Sequence, residues 1–174
     1  MFELRELERT DLPAINLWRQ DPELISLLGA PYRYIGREID EAWFNNYLKN
    51  RNSTIRCAII EADRPDTILG LVTLSDINWI HSSCELHIMI GSKTNQNRGL
   101  GTFSVGKILD HAFDDLGLNR VELTVLASNK RAQHLYQKLG FKVEGTKKDA
   151  VYKSGAFQDL LMMAILKKDR SACH

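Results

Sequence analysis

The chain of 174 residues has no apolar run approaching the ~20 residues that a bilayer-spanning helix needs, so no membrane role is expected. Its first residues, Met1-Phe2-Glu3-Leu4-Arg5, lack a basic patch followed by an apolar stretch, and no signal peptide is expected. A strong charge of either sign is missing too. Lys plus Arg number 23 and Asp plus Glu 22, which leaves no net field to draw the chain to nucleic acid or to an anionic surface. Cysteine is sparse: Cys57, Cys84 and Cys173 are an odd count without metal-ligand spacing, as free thiols in a reducing compartment would be. The cytoplasm is the expected location. Linkers rich in Pro, Gly or Ser, internal repeats and low-complexity tracts are also absent, so one domain is expected over residues 1–168, with a short tail at 169–174. An apolar share of 44% is enough to fill one core of a domain this size.

What is present is an alternation of strand and helix signals. Phe2 to Leu7 reads as a strand, and Thr10-Asp11-Leu12-Pro13 as a helix start with Thr10 as N-cap. Asp21-Pro22-Glu23 opens a second, short helix, and Ala42, Trp43, Tyr47 and Leu48 mark a third. Ile55, Cys57 and Ile59 alternate along a strand; Arg64-Pro65-Asp66 reads as a turn, followed by a strand from Ile68 to Leu74. Cys84, Leu86, Ile88 and Ile90 share one face of the next strand, with Glu85, His87 and Met89 on the other. Val105, Ile108, Leu109, Ala112, Phe113 and Leu116 recur at spacings of three and four, which predicts a long helix stopped by Gly117. Val121, Leu123 and Val125 give a fifth strand, Asn129 to Leu139 a helix closed by Gly140, and 141–152 and 157–166 a terminal hairpin. Helices inserted between strands, with a hairpin at the end, predict an α/β fold with a single mixed sheet.

The turn Gln96-Asn97-Arg98-Gly99-Leu100-Gly101-Thr102 carries the first chemical signal. Two glycines let the backbone turn tightly and approach a ligand, and the helix that follows aims unpaired N–H groups and its positive dipole end at that ligand, as a pyrophosphate requires. Arg98 adds charge. A glycine-rich turn that merely starts a helix is the plainer alternative. A dinucleotide fingerprint is excluded because Ser104 stands where its third glycine belongs. Gly91-Ser92-Lys93-Thr94 is no P-loop either, since Leu86 occupies the place of the opening glycine.

Some thirty residues on stands Asn129-Lys130-Arg131-Ala132-Gln133-His134-Leu135-Tyr136-Gln137-Lys138-Leu139-Gly140-Phe141. Q-x-x-G-x-G followed by N-x-x-A-x-x-L-Y-x-K-x-G-F resembles the paired acetyl-CoA motifs of the GNAT acetyltransferases. The branch it looks most like includes ribosomal-protein N-terminal, spermidine and aminosugar acetyltransferases. The stretches 76–85 and 152–163 resemble the spermidine enzymes in particular. The resemblance implies a mostly antiparallel central sheet flanked by helices, acetyl-CoA as co-substrate, a small primary amine as acceptor, and a homodimer. It implies that Gln96 and the N–H groups of Arg98, Gly99, Leu100, Gly101 and Thr102 hold the pyrophosphate. Main-chain groups of Ile88, Met89 and Ile90 would pair with the pantetheine arm like an added strand. Asn129 would bond the same arm, and Lys138 would lie near a phosphate unless it is simply solvated.

Acetyl transfer to an amine needs the amine deprotonated, the tetrahedral oxyanion stabilised and the departing thiolate protonated. By resemblance Tyr136 is the acid on sulfur; an ordinary helix tyrosine is the alternative. A main-chain N–H near Ile88 would polarise the thioester carbonyl. Glu85 interrupts an apolar strand, and a carboxylate there is costly unless it is partnered or useful. It is the candidate base, through water, or else a ligand for the substrate amine. His87, two residues on, is a candidate proton relay or substrate contact. No metal is needed, and His81, His111, His134 and His174 show no ligand spacing. Polyamine acetyltransferases carry acidic clusters in the early-helix region, whereas this chain has Gly29-Ala30-Pro31-Tyr32-Arg33-Tyr34. Arg33 and Tyr34 would suit a ligand with an anionic group and a flat ring, such as a nucleotide-linked aminosugar. The alternatives are a peptide N-terminus as acceptor, or a non-catalytic acyl-CoA-binding sensor that keeps the fold.

Overall fold

The computed structural model describes residues 1–95 and 97–170. Strand β1 (Phe2–Glu6) leads into helix α1 (Leu12–Arg19) through one tight turn. Thr10 is not the cap that the sequence predicts; its hydroxyl points back to the Glu8 carboxylate at 3.4 Å. Asp11 organises the turn instead. Its buried carboxylate accepts the Glu8 N–H at 2.8 Å and both arms of the Arg5 fork at 2.8 Å. A carboxylate can take all three bonds and balance the cation, which a hydroxyl cannot. Helix α2 (Pro22–Ser26) is capped as expected, with Asp21 accepting from the N–H groups of Glu23 and Leu24. Helix α3 (Arg37–Lys49) follows.

Next come β2 (Ile55–Glu61), β3 (Arg64–Asn78) and β4 (Ser83–Ile90). The segment 64–66, read from sequence as a turn, belongs to β3. Its proline is tolerated because β2 pairs with Arg64 and Ile68 and skips the residues between them. Helix α4 (Leu100–Asp110) widens in its last turn, 111–115, where the Leu116 N–H reaches the His111 carbonyl five residues back, and Gly117 at φ +67° ends it. Then come β5 (Arg120–Leu126), α5 (Lys130–Lys138), β6 (Lys142–Lys153), β7 (Ala156–Leu166) and α6 (Lys167–Arg170). Arg170 bonds the Gly106 carbonyl at 2.9 Å and Asp110 at 2.6 Å, so the expected boundary at residue 168 falls inside a helix docked on α4. Residues 171–174 of the expected tail, with Cys173 and His174, lie outside the described residues.

The seven strands form one sheet in the order β1-β2-β3-β4-β5-β7-β6, antiparallel except between β4 and β5. Period-two alternation divides its core. Val72, Leu74, Cys84 and Leu86 face α4 and α5, whereas Ala58, Ile60 and Leu71 face α1 and α3. The sheet thus separates two helical layers, and anything reached from one face is insulated from the other except where the sheet opens.

The α1–α3 contact rests on one buried carboxylate. Asp40, 1% exposed, accepts from Asn16 Nδ2 at 2.6 Å and pairs with the Arg19 guanidinium. Asp40→Ala strands both donors. Arg19 keeps a route to water, so the expected loss is about 2 kcal/mol, below the range for a fully buried pair. Urea unfolding of mutant and wild type measures it, and equal midpoints would show that the pair adds no net stability.

Candidate active site

Strands β4 and β5 pair only through Ser83–Arg120, Cys84–Val121 and Glu85–Glu122. Beyond those residues each stays bound to its other neighbour, β4 to β3 as far as Ile90 and β5 to β7 as far as Leu126, and the two strands diverge. The Ser82 carbonyl fastens the closed end by accepting the N–H groups of Asn119 at 2.7 Å and Arg120 at 3.1 Å. The Gly91 N–H donates to the Leu69 carbonyl on β3 at 2.8 Å. Main-chain groups alternate along a strand, so those of Met89 and His87 also point to β3, and those of Leu86, Ile88 and Ile90 face the gap. The main-chain groups of Ile88 and Ile90 are thus open to an added strand, whereas those of Met89 are committed to β3. A cavity of ≈ 750 Å³ runs through the gap and reaches both faces of the sheet.

At the mouth of the gap lies the turn before α4. Asn97 and Gly99 adopt left-handed φ of +64° and +82°, and Gly99 caps α4. The N–H groups of Leu100, Gly101 and Thr102 belong to a first helical turn, where no earlier carbonyl is available to them. All three residues line the cavity. Together they form a cradle for an anion. Arg98 does not add its side chain to it. The guanidinium pairs with Glu61 and lies over the Phe2 ring at 5.5 Å, because an acid and an aromatic face are within its reach on the other side of the turn. Gln96 lies outside the described residues.

Helix α5 forms a wall of the cavity. Asn129 caps it by accepting the Ala132 N–H at 3.1 Å, and its amide donates to the Leu27 carbonyl at 3.1 Å. It therefore fastens α5 to the loop after α2 while lining the cavity. Gln133, which sequence reasoning missed, is buried and donates to the carbonyls of Leu126 at 3.0 Å and Ala127 at 2.9 Å. Those bonds fix where β5 ends and α5 begins. Tyr136 lines the cavity from this helix, with its ring edge-on to Phe141 at 5.7 Å. Burial pushes its phenol up to about 12, so it keeps its proton at neutral pH. Lys138 is exposed at the rim.

The opposite face of β4 presents the other chemistry. His87 lines the cavity; its Nε2 lies 3.0 Å from Ser75 Oγ and 3.9 Å from Glu85 Oε1. Glu85 itself is not part of the cavity wall and stands behind His87. Across the sheet, Arg56 is opposite Thr73 and Thr73 opposite His87, which makes a polar row ending at the gap. Trp43 roofs this row, with Arg56 over its ring at 4.1 Å and Arg19 at 4.5 Å. Arg33 and Tyr34, expected at the substrate, stand outside the cavity. Both are exposed, Tyr34 at 94%, because 31–36 is a loop without regular structure whose tyrosines pack on each other. Arg56 was the detectable signal that sequence reasoning passed over: a lone cation inside the apolar run Ile55–Glu61, noticeable by the same logic as Glu85.

Three features coincide here: an anion cradle, an open strand edge and a long cavity. They fit a diphosphate carrying an extended, amide-bearing arm. Residues 2–142 match the family described as Acetyltransferase (GNAT) domain. The chain is 32% identical to the spermidine N(1)-acetyltransferase of Vibrio cholerae serotype O1, over 94% of this chain and 91% of that protein. The solved structure of spermidine N-acetyltransferase from Vibrio cholerae with CoA and spermine superposes with a TM-score of 0.90 at 30% identity, covering 98% of both chains. A dodecameric structure of the Vibrio cholerae enzyme superposes at 0.81, with 29% identity over 96% of this chain and 94% of that one.

The cradle is testable by charge alone. A Cβ added at Gly99 meets no atom within 4 Å beyond its chain neighbours, and Asp and Asn enter the left-handed region at similar cost. Gly99→Asp places a negative charge at the diphosphate and is expected to weaken acetyl-CoA binding at least ten-fold, about 1.4 kcal/mol, relative to Gly99→Asn. Calorimetric titration of the folded pair decides; equal affinities would remove the diphosphate from this turn.

Proposed function

The chain belongs to the GNAT family and is an acetyl-CoA-dependent N-acetyltransferase, and from that premise we propose how its residues divide the reaction. The observation that carries the reading is the gap between β4 and β5, which joins a donor half on the α4–α5 face to an acceptor half on the α1–α3 face. Acetyl-CoA lies with its diphosphate on 99–102 and its arm along Ile88 and Ile90. A small primary amine enters from the His87 side and attacks directly in a ternary complex. Such an amine arrives protonated, with a pKa of about 10.4 for a lysine-like group. Its proton passes by way of water to His87 and on to Glu85, 3.9 Å behind. The nitrogen then attacks the thioester carbonyl, and the Ile88 N–H receives the developing oxyanion. As the C–S bond breaks, the thiolate takes the Tyr136 proton, the acylated nitrogen gives up its second proton to water, and the Tyr136 phenol is re-protonated from that solvent.

The name of the Vibrio cholerae relative, and the spermine in its solved structure, support a polyamine among the acceptors to test; the dodecamer supports self-association of this chain. We place the protein in the cytoplasm as one domain. Among the described residues no helix is long and apolar enough to cross a membrane, and Cys57 and Cys84 are free thiols pushed by burial up to about 11 and 12.

Tyr136→Phe keeps the ring and its contact with Phe141 and deletes only the hydroxyl. The expected result is a fall in kcat of ~10²–10⁴-fold with little change in acetyl-CoA affinity. Because the phenol is pushed up to about 12 and acts protonated, wild-type kcat should show no alkaline fall below about pH 10. Full activity in the mutant would refute the acid role.

Glu85→Gln tests the proton path separately. If Glu85 drains the amine's proton, kcat/KM at neutral pH falls ~10²-fold or more and the acidic limb of its profile moves. A raised KM with an unmoved profile would make Glu85 a ligand for the amine instead.

A further inference from the structure

The acceptor half of the cavity carries an unmatched cation. Arg56 is partly buried on β2, its Nε has no hydrogen-bond partner, and its guanidinium rests on the Trp43 ring at 4.1 Å. No ion pair among the described residues involves it. Burial, with the Arg19 cation beside it, lowers its pKa to about 10 against a smaller opposing pull from Tyr47. The nearby acids that could have balanced Arg56 are already engaged. Asp40 is held by Arg19 and Asn16, and Glu6 is bound by Tyr47 at 2.7 Å and Arg51 at 2.7 Å. A desolvated guanidinium whose N–H groups are not taken up within the protein is costly unless something accepts from it, and its planar fork matches a carboxylate or phosphate. A polyamine threaded along this wall would bring more positive charge to Arg56 and Arg19, with Glu85 as the acid at the far end of the row.

Position says which part of the acceptor meets this cation. Arg56, Thr73 and His87 stand opposite one another on three adjacent strands, and His87 borders the gap. Strands lie ~4.8 Å apart, so the Arg56 and His87 backbones are about 10 Å apart. A group on Arg56 therefore lies within roughly that distance of the reacting nitrogen. We propose that the acceptor is a compact primary amine that also bears a carboxylate or phosphate, and that Arg56, with Arg19 beside it on Trp43, binds that anion while the amine points past His87 into the gap. This rests on the transferase reading above and narrows it away from acceptors that are wholly cationic.

The test compares matched acceptors in a thiol-release assay on the wild-type protein: glucosamine 6-phosphate against glucosamine, an amino acid against its amide, and spermidine. The expected result is a kcat/KM at least ten-fold higher for the anionic member of one pair than for its neutral twin and for spermidine. Which pair responds tells phosphate from carboxylate. Arg56→Gln should then raise KM for that anionic acceptor ten-fold or more beyond any change for its twin, equivalent to about 1.4 kcal/mol, with part recovered in Arg56→Lys. An unchanged acetyl-CoA affinity certifies the fold of each variant, and the wild-type pairs decide alone if Arg56→Gln does not fold. Spermidine preferred over every anionic acceptor, or twins affected equally by Arg56→Gln, overturns the proposal and leaves the transferase standing. A wild type that binds acetyl-CoA yet releases thiol with no amine overturns both.

Discussion

Two strand edges that part after three paired residues govern the rest of this molecule. Main-chain N–H and C=O groups must find partners, and in a closed sheet the neighbouring strand supplies them. Here β4 and β5 are each locked to an outer neighbour along their length, so neither can turn to close the gap. The inward groups of Ile88 and Ile90 are left to water or to a ligand with amides of its own. The turn at Gly99 adds unpaired donors at the open end of the same gap. Binding an extended arm with a diphosphate head completes both sets at once, which explains why the cradle and the open edge occur together.

The gap also links two environments that the sheet otherwise keeps apart. On the α4–α5 face Tyr136 sits among apolar side chains, and desolvation holds its proton in place. On the α1–α3 face Glu85 and His87 stay partly solvated, 33% and 54% exposed, and can exchange a proton with water. Removing a proton from the nucleophile and giving one to the leaving group are opposite tasks. In the proposed reaction the agents of these two tasks stand on opposite faces of the sheet, with the reacting atoms in the gap between them.

The donor half was legible in the sequence because its chemistry is local. Gly99, the helix start after it, and the Asn129–Tyr136 spacing are each set within a few residues, and the structure keeps the order they imply. Side-chain commitments were not legible. Arg98 turned to Glu61, 37 positions away, and Asn129 to Leu27, 102 away; neither partner is visible from a motif. Met89 was misplaced for a different reason: the sequence gives the direction of side chains along β4, while the direction of its main-chain groups follows from the register with β3. Arg33 and Tyr34 were chosen for their residue type in a region that the structure leaves exposed. The strand signals cut β3 short at both ends, stopping at Leu74 where it runs to Asn78 and taking Pro65 for a turn, because tolerance of a proline depends on which residues the partner strand skips.

The acceptor half is where sequence composition says least, and the reason is physical. A net charge of +1 averages over the whole surface, whereas recognition depends on the few charges that share one desolvated wall. Alternation makes such walls easy to change. Arg56, Thr73 and His87 project from the face opposite to Val72 and Leu86, so a change among them does not touch the α4–α5 side of the core. A fold that fixes the donor through its backbone, and meets the acceptor through side chains on the other face, can keep one reaction while the acceptor changes. High structural similarity to a polyamine enzyme therefore constrains the acetyl donor much more than the acceptor. The charge on β2 then bears more directly on the acceptor than the backbone match does.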